Sequence, residues 1–196
     1  MGSEMYIRHR TLPLHLHQRE SYDCGVASVA MAANVAYEDA KSAFDALGLN
    51  LKKQGRHPYS SNFKNVQDAL QKLGYSTSMR RFQSWDHIQG PTIVKVDNGH
   101  PRNWHWVYAT RESPWGLVVL DPDWPDPHFE NPPLDVVYIP LDRFKPKGSM
   151  VVVERPRKAL EASPASGVAR AFRAIARNKR LFTPSAAAEH MQCGDV

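Results

Sequence analysis

The chain has 196 residues, of which 42% are hydrophobic and 23% charged, so its composition indicates a folded globular protein and excludes an intrinsically disordered one. It contains no run of 18 apolar residues, and its polar first ten residues show no signal peptide, so we expect neither a membrane span nor secretion. Two cysteines at positions 24 and 193 do not make a disulfide framework, which favours a cytoplasmic protein with free thiols.

The N-terminal half has the pattern of an extended lead-in followed by helices. Residues 5–17 alternate leucines with proline and histidines, which indicates an extended segment. Gly48 and Gly74 are expected to end the second and third helices, and Ser61 to cap the third. Helices are therefore predicted over residues 24–35, Tyr37 to Leu47 and Asn62 to Leu73.

The pattern changes to strands after residue 90. The segment Asp121 to Pro133 is rich in proline and aspartate and is expected to be a loop. Helices followed by an antiparallel sheet make an α+β fold. The predicted strands are Thr92 to Val96, Trp104 to Thr110, Gly116 to Leu120, Val136 to Leu141 and Met150 to Val153.

The C-terminal tail carries the whole net charge of +5. Residues 1–154 hold equal numbers of basic and acidic side chains, so we expect them to form the folded domain and residues 155–196 a separate basic tail. Alanine, serine and proline indicate a flexible link, although Ser166 to Arg180 could form a basic helix. Such a helix could bind an anionic membrane surface, nucleic acid or an acidic protein; the alternative is a solvated tail.

The segment that ends in Cys24 and Gly25 holds the first candidate site residues. Cys24 begins the small, apolar run, so it lies in the first turn of the expected helix, where the partial positive charge of the helix N-terminus stabilises a thiolate. Gln18 lies just upstream and can direct its side-chain amide to the space beside the sulfur. It could there donate a hydrogen bond to an oxyanion formed when the thiolate attacks a carbonyl. A base is also needed, and His105 offers one.

The strands around His105 predict a carboxylate beside it. The turn between them is expected to be centred near Ser113. Directly paired residues have Cβ atoms about 4.5–5.5 Å apart on one face of the sheet. A carboxylate on one ring nitrogen would fix the tautomer and leave the other nitrogen for a thiol. The expected partners are His105 with Asp121, Val107 with Val119 and Ala109 with Leu117.

Each of these residues also has a purely structural interpretation. Cys24 could be a small hydrophobe in an apolar helix, and His105, between two tryptophans, a half-buried histidine with satisfied hydrogen bonds. Asp121 before Pro122 could start a turn. Gln18 alone indicates nothing. The hypothesis of a catalytic site depends on finding all four residue types in a workable order.

The motifs resemble those of the papain-like cysteine peptidases. The residues that carry the resemblance are Gln18, Asp23-Cys24-Gly25 with Ala27, His105-Trp106-Val107 and Leu120-Asp121-Pro122. Within that group the pattern is most similar to the double-glycine leader peptidases, which trim bacteriocin precursors, and their free-standing relatives. The resemblance covers about residues 10–154 and implies a papain-like fold with the site in a groove between helix and sheet.

The resemblance also implies a role for each residue. Cys24 would be the nucleophile, His105 the base and Asp121 the residue that orients it. Gln18 and the Cys24 backbone N–H would hold the oxyanion. The expected activity is cleavage of a peptide or amide bond without a cofactor. The basic tail is not part of the family pattern, so cleavage after a double glycine is not carried over.

Other functions remain open on the sequence. The same site could transfer an acyl group to an amine or thiol, as phytochelatin-synthase-like relatives of papain do, or the domain could be a non-catalytic peptide-binding module held by its tail. A metal site is a weaker alternative. Its candidate ligands are the loop residues Asp121, Asp123, Asp126 and His128, or the alternating His9, His15 and His17.

Overall fold

The computed structural model describes residues 13–53, 56–97 and 104–154. His9, Cys193 and the whole tail, with its predicted helix, lie outside the described residues. In the described part, three α-helices precede six strands and two short 3₁₀-helices. The α-helices are α1 (Cys24–Ala33), α2 (Tyr37–Asp45) and α3 (Phe63–Lys72). The strands are β1 (Ser76–Arg81), β2 (Thr92–Val96), β3 (His105–Glu112), β4 (Gly116–Leu120), β5 (His128–Phe129) and β6 (Pro146–Glu154).

Helix α1 lies at the centre of the domain. All ten of its residues are buried, and most are small, which lets the other elements pack closely around it. Ser28 Oγ donates a hydrogen bond of 3.2 Å to the carbonyl of Trp106 in β3. The helix ends at Asn34, which adopts the left-handed conformation with φ of 53°. The buried helix predicted from the small, apolar run is therefore confirmed.

The other two helices are also close to their predicted ranges. Gly48 and Gly74 follow them with φ of 68° and 86°, a conformation that favours glycine. The predicted cap of α3 was wrong by one residue. Asn62, not Ser61, accepts the N–H of Asn65 at 3.0 Å, and Asn65 accepts the Asn62 N–H in return. None of the helices in the described ranges is long and apolar enough to span a membrane.

The six described strands form one antiparallel sheet in the order β1-β6-β2-β3-β4-β5. One face of the sheet packs against the helices and the other against its connecting segments. The helix-facing residues include Ile93, Trp106, Tyr108, Val118 and Leu120. The opposite face packs Val94, Val107 and Val119 with Ile88, Ile139 and Phe144. This arrangement confirms the predicted α+β architecture.

Some strand predictions were wrong. Residues 136–141 do not form a strand. One backbone hydrogen bond of 3.0 Å, from the Ile139 N–H to the Pro127 carbonyl, joins this segment to the residues just before β5. Within this segment Val137 is 71% exposed and Tyr138 50%, whereas Ile139 is buried. The short strand β5 instead lies inside the predicted loop after Asp121.

The register predicted for the β3–β4 hairpin was wrong by two residues. Ala109 pairs with Val119, not Leu117, because the hairpin pairs Glu112 with Gly116 and its turn is centred on Pro114 rather than on Ser113. A shift of two residues keeps every side chain on its predicted face, since faces alternate with a period of two. His105 and Asp121 therefore remain on the same side of the hairpin and lie diagonally across it.

Candidate active site

A groove lies where three elements meet at one edge of the sheet. The N-terminus of α1 supplies Cys24, the first residue of β3 is His105, and Asp121 directly follows β4. Because β3 and β4 are antiparallel neighbours, the start of one and the end of the other lie side by side. The groove has a volume of about 1080 Å³, and all four predicted site residues line it: Gln18, Cys24, His105 and Asp121.

His105 and Asp121 form the best-defined contact in the groove. His105 Nε2 lies 2.5 Å from Asp121 Oδ1, and the two side chains are only 13% and 14% exposed. The same carboxylate oxygen accepts the backbone N–H of Asp123 at 2.9 Å, which fixes its orientation. A histidine bound through Nε2 presents Nδ1 on the other side of its ring, where a second group can exchange a proton with it.

The electrostatics of His105 favour its charged form. Burial alone lowers the pKa of this imidazole, but hydrogen bonds to Asp121 and to Cys24, with the charge of both partners, outweigh burial and raise the pKa to about 10. The histidine thus has a carboxylate beside one ring nitrogen and shares the groove with the Cys24 thiol. That pair of partners is what a base needs if it is to hold a proton taken from sulfur.

Cys24 occupies the first turn of α1 and is 9% exposed. Its helix offers unpaired backbone N–H groups and the positive end of the helix dipole to the sulfur. The residue before it, Asp23, makes no side-chain hydrogen bond to the helix N-terminus. The Asp23 carboxylate therefore does not compete with a thiolate for the N–H groups of the first turn.

Gln18 is attached to the loop that carries Asp121. Its backbone N–H donates to the carbonyl of Pro122 at 2.8 Å. Three residues earlier, His15 Nε2 lies 2.8 Å from the carbonyl of Asp121 itself. Burial lowers the pKa of His15 below its ordinary value, so the neutral ring donates to this carbonyl. The segment before Cys24 thus binds the backbone carbonyls of both Asp121 and Pro122.

The sequence interpretation missed this contact of His15. Alternation with His17 made zinc binding only a weak alternative, and the ring binds a backbone oxygen. Among the described residues no three His, Cys, Asp or Glu side chains are grouped so that they could hold a metal ion. Two of the four candidate ligands of the loop have other partners: Asp121 binds His105, and His128 Nδ1 lies 2.8 Å from the Ile139 carbonyl.

Aromatic side chains form much of the groove wall. Trp104 and Trp124 line it, with Lys95 Nζ 4.2 Å from the centre of the Trp104 ring and the Arg143 guanidinium 3.8 Å from that of Trp124. Trp106 contributes only an edge, since it is 1% exposed and belongs to the core. Trp104 and Trp124 are therefore wall residues of the groove, whereas Trp106 is a core residue.

Gly25, next to Cys24, has a packing role that the sequence does not reveal. A Cβ atom at this position would lie 2.3 Å from Ser61 Oγ and 3.3 Å from Trp106 Cδ1. Ser61 is buried, and its hydroxyl has no hydrogen-bond partner among the described residues. The absence of a side chain at residue 25 lets the start of α3 approach the N-terminus of α1 and narrow the groove beside the sulfur.

Replacing Gly25 by alanine is therefore expected to destabilise the fold by about 1–3 kcal/mol through overpacking. Thermal unfolding should show a melting temperature lower by about 2–4 °C per kcal/mol. Adding Ser61→Ala removes the closest atom and should restore most of the loss. Gly90→Ala is the matched control, because nothing lies within 4 Å of a Cβ built there. Equal melting temperatures for Gly25→Ala and Gly90→Ala would contradict the clash.

Comparison with known proteins places this arrangement among peptidase folds. No protein-family model and no curated protein matches the chain. The solved peptidase domain of Streptococcus ComA, a bi-functional ABC transporter involved in a quorum-sensing pathway, has a TM-score of 0.52 at 20% identity, over 74% of this chain and all of that domain.

Two other solved domains are similar at lower scores. A double glycine motif protease from an AMS/PCAT transporter, in complex with its leader peptide, has a TM-score of 0.49 at 20% identity, over 76% of this chain and 96% of that one. The peptidase domain of Streptococcus mutans ComA has a TM-score of 0.45 at 22% identity, over 72% and 98%. The similarity to the first ComA peptidase domain, with a TM-score of 0.52, shows that the chain has the papain-like fold that its sequence predicts.

Proposed function

We propose that the protein is a cysteine peptidase that uses Cys24 as nucleophile, His105 as base and acid, Asp121 to orient the histidine, and Gln18 as oxyanion donor. The observation that carries the proposal is the position of His105, largely buried with a carboxylate at 2.5 Å in the groove that it lines together with Cys24. A similar fold in a peptidase domain supports the reaction class.

The first half of the reaction acylates the enzyme. His105 Nδ1 takes the proton of the Cys24 thiol, and the thiolate attacks the carbonyl carbon of an amide. A C–S bond forms while the carbonyl π electrons move to oxygen, where the Gln18 amide and the Cys24 N–H donate hydrogen bonds. The oxyanion then collapses, the C–N bond breaks, and the imidazolium returns its proton to the leaving amine.

The second half releases the acyl group. His105, now neutral, takes a proton from water as the water oxygen attacks the thioester. Collapse of the second tetrahedral intermediate breaks the C–S bond and regenerates the Cys24 thiolate beside the imidazolium. The Asp121 carboxylate stabilises that cation in both halves without taking its proton. The reaction needs no group beyond these side chains, the backbone N–H and water.

The pH dependence of Cys24 alkylation tests the reactive ion pair without knowledge of the substrate. Iodoacetamide reacts with the thiolate only, so Cys24 should be labelled rapidly at about pH 6, well below the ordinary thiol pKa of about 8.5. His105→Ala removes the cation and should slow labelling at that pH by at least about tenfold, since one pKa unit is a factor of ten. Intact-protein mass spectrometry in a Cys193→Ser background reads the rate.

His87→Ala is the control for loss of a histidine, because His87 lies in a 3₁₀-helix and does not line the groove. It should leave the labelling rate unchanged. Labelling that rises only near the ordinary thiol pKa and is indifferent to His105→Ala would contradict the proposal. Cys24 would then be a structural cysteine.

A further inference from the structure

The carboxylate of Asp23 is buried directly before Cys24, yet the reaction does not use it. Asp23 is 1% exposed. A carboxylate next to a thiolate raises the free energy of the thiolate by like-charge repulsion, and a buried charge is itself unfavourable unless it is well paired. A leucine or alanine at this position would avoid both effects. The partners of Asp23 therefore bear on why a carboxylate is there.

Asp23 Oδ2 accepts hydrogen bonds from three donors, none of which belongs to helix α1. It accepts the backbone N–H of Arg19 at 3.2 Å and that of Glu20 at 3.1 Å, and it accepts the hydroxyl of Tyr37. Oδ1 has no hydrogen-bond partner among the described residues. The carboxylate thus binds the backbone immediately after Gln18 rather than the N-terminus of its own helix.

Backbone hydrogen bonds fix both ends of the segment of residues 18–20, which is named the Gln18 turn. On the N-terminal side, the Gln18 N–H donates to Pro122 O at 2.8 Å. On the C-terminal side, the next two N–H groups donate to Asp23. With both flanks fixed, the backbone at Gln18 has little freedom to rotate, so the point at which its side chain begins is fixed beside the groove that Gln18 and Cys24 both line.

Tyr37 connects the Asp23 carboxylate to helix α2. It is the first residue of α2 and is 6% exposed, and the Arg19 guanidinium lies 4.0 Å from the centre of its ring. Burial and the hydrogen bond to Asp23 raise the pKa of the Tyr37 phenol far above its ordinary value, so the phenol remains a donor. Arg19 also pairs with Glu38 on the same helix. The Gln18 turn is therefore bound to α2 directly through the Arg19 side chain and indirectly through the Asp23 carboxylate, which binds both its N–H groups and Tyr37.

We propose that Asp23 is a positioning residue that holds the Gln18 turn, so that the Gln18 amide is pre-placed to donate to the oxyanion. This inference rests on the proposed function of the groove. It adds a residue that acts on the transition state through Gln18 and not on the thiol. Pre-placed donors stabilise an oxyanion strongly because they need no rearrangement as charge develops.

Two reagents separate the thiolate from the oxyanion. Acetylation of Cys24 by p-nitrophenyl acetate passes through a tetrahedral oxyanion, whereas alkylation by iodoacetamide is a direct displacement with none. The quantity to measure is the ratio of the acetylation rate to the alkylation rate at Cys24. Both rates are read by mass spectrometry of the Cys24 peptide in the full chain carrying Cys193→Ser, and Cys24→Ala corrects for acetylation elsewhere.

Removing either Gln18 or the Asp23 carboxylate is expected to lower the ratio of the acetylation rate to the alkylation rate. Gln18→Ala removes the donor and should lower the ratio by up to about 100-fold. Asp23→Ala should lower it by about tenfold, with alkylation unchanged or slightly faster because a negative charge near the sulfur is gone. Asp23→Asn keeps a weaker acceptor for the two N–H groups and should lie between wild type and Asp23→Ala. Added to Gln18→Ala, Asp23→Ala should cause no further loss.

Asp39→Asn is the matched control, since Asp39 is an exposed carboxylate in the first turn of α2 and its loss changes the net charge equally. It should leave the ratio unchanged. If Asp23→Ala fails to fold, Asp23→Asn and Tyr37→Phe carry the test, the latter removing one of the three donors and leaving the carboxylate. A ratio within twofold of wild type in Asp23→Asn and Tyr37→Phe, with Gln18→Ala impaired, would overturn the role.

Two other outcomes would also overturn it. Equal losses of acetylation and alkylation would mean that Asp23 serves the fold alone. A further loss in the Gln18→Ala background would mean that it acts independently of Gln18. Failure of the underlying peptidase proposal looks different, because wild-type Cys24 would then react slowly with both reagents at about pH 6. Wild-type reactivity with an Asp23-independent ratio overturns the present inference alone.

Discussion

Cys24→Ala is expected to abolish peptide cleavage, with a rate at least about 10⁴-fold below that of wild type, since removal of a nucleophile leaves only the residual effect of binding and the oxyanion donors. Alanine fits the site, because the ten residues of α1 are buried and mostly small. The fold should therefore persist while the chemistry is lost. The measurement is the appearance of new peptide termini, by mass spectrometry, when a broad mixture of peptides is incubated with each protein.

The controls for this experiment separate three functions. Cys193→Ser should cleave as wild type does, because the proposed reaction uses the other cysteine. Cleavage in water should give free carboxyl termini; if an added amine instead appears on every product, the groove performs acyl transfer. If wild type cuts no peptide and Cys24→Ala retains peptide binding, the domain is a binding module and the peptidase proposal is wrong.

Local patterns in the sequence were sufficient for the three α-helices of the described residues and for the strands β2, β3, β4 and part of β6. α1 could be predicted because a run of ten small or apolar residues follows a polar turn, and β2 and β4 because each is an apolar run after a glycine or a turn. β1 was missed since Ser76 to Arg81 is polar and largely exposed at the sheet edge. Such a strand is specified by its pairing with β6 rather than by its own periodicity.

The proximity of His105 and Asp121 was predicted from a register that was wrong. Alternation along β3 and β4 determines the face on which each side chain lies, but it does not determine the size of the turn between them. The observed turn shifts the pairing by two residues and leaves that face unchanged, so the contact is diagonal instead of direct. An odd shift would have separated the two side chains.

The contacts that support the groove could not be predicted from the sequence. Asp23 binds the Arg19 and Glu20 N–H groups through loop geometry, His15 binds a carbonyl more than 100 residues away, and Ser61 approaches Gly25 from the segment just before α3. None of these contacts has a periodic signature. They depend on tertiary packing, and the local pattern of one segment carries no information about which other segment it will contact.

Asp121→Ala is expected to lower peptide cleavage by about 10⁴-fold, the size of the loss found when the orienting carboxylate of a catalytic triad is altered. The His105 ring would lose its 2.5 Å partner and the charge that helps to hold its proton. The measurement is kcat for a peptide identified as a substrate of the wild-type protein. Asp142→Asn is the control, because Asp142 is exposed in a 3₁₀-helix and does not line the groove. Loss of activity in both variants alike would contradict a specific role for Asp121.

The same pair also makes stability depend on pH in a definite direction. The pKa of His105 is raised in the folded protein to about 10, above its ordinary value of 6.5, so folding favours the protonated ring. The stabilisation is therefore fully present below pH 6.5 and is lost as pH rises from there to about 10. The free energy of unfolding, measured in urea across this range, should show wild type most stable relative to Asp121→Asn at the acidic end, with the difference shrinking as pH rises. A difference that is constant or grows with pH would mean that the His105 proton is not held by Asp121.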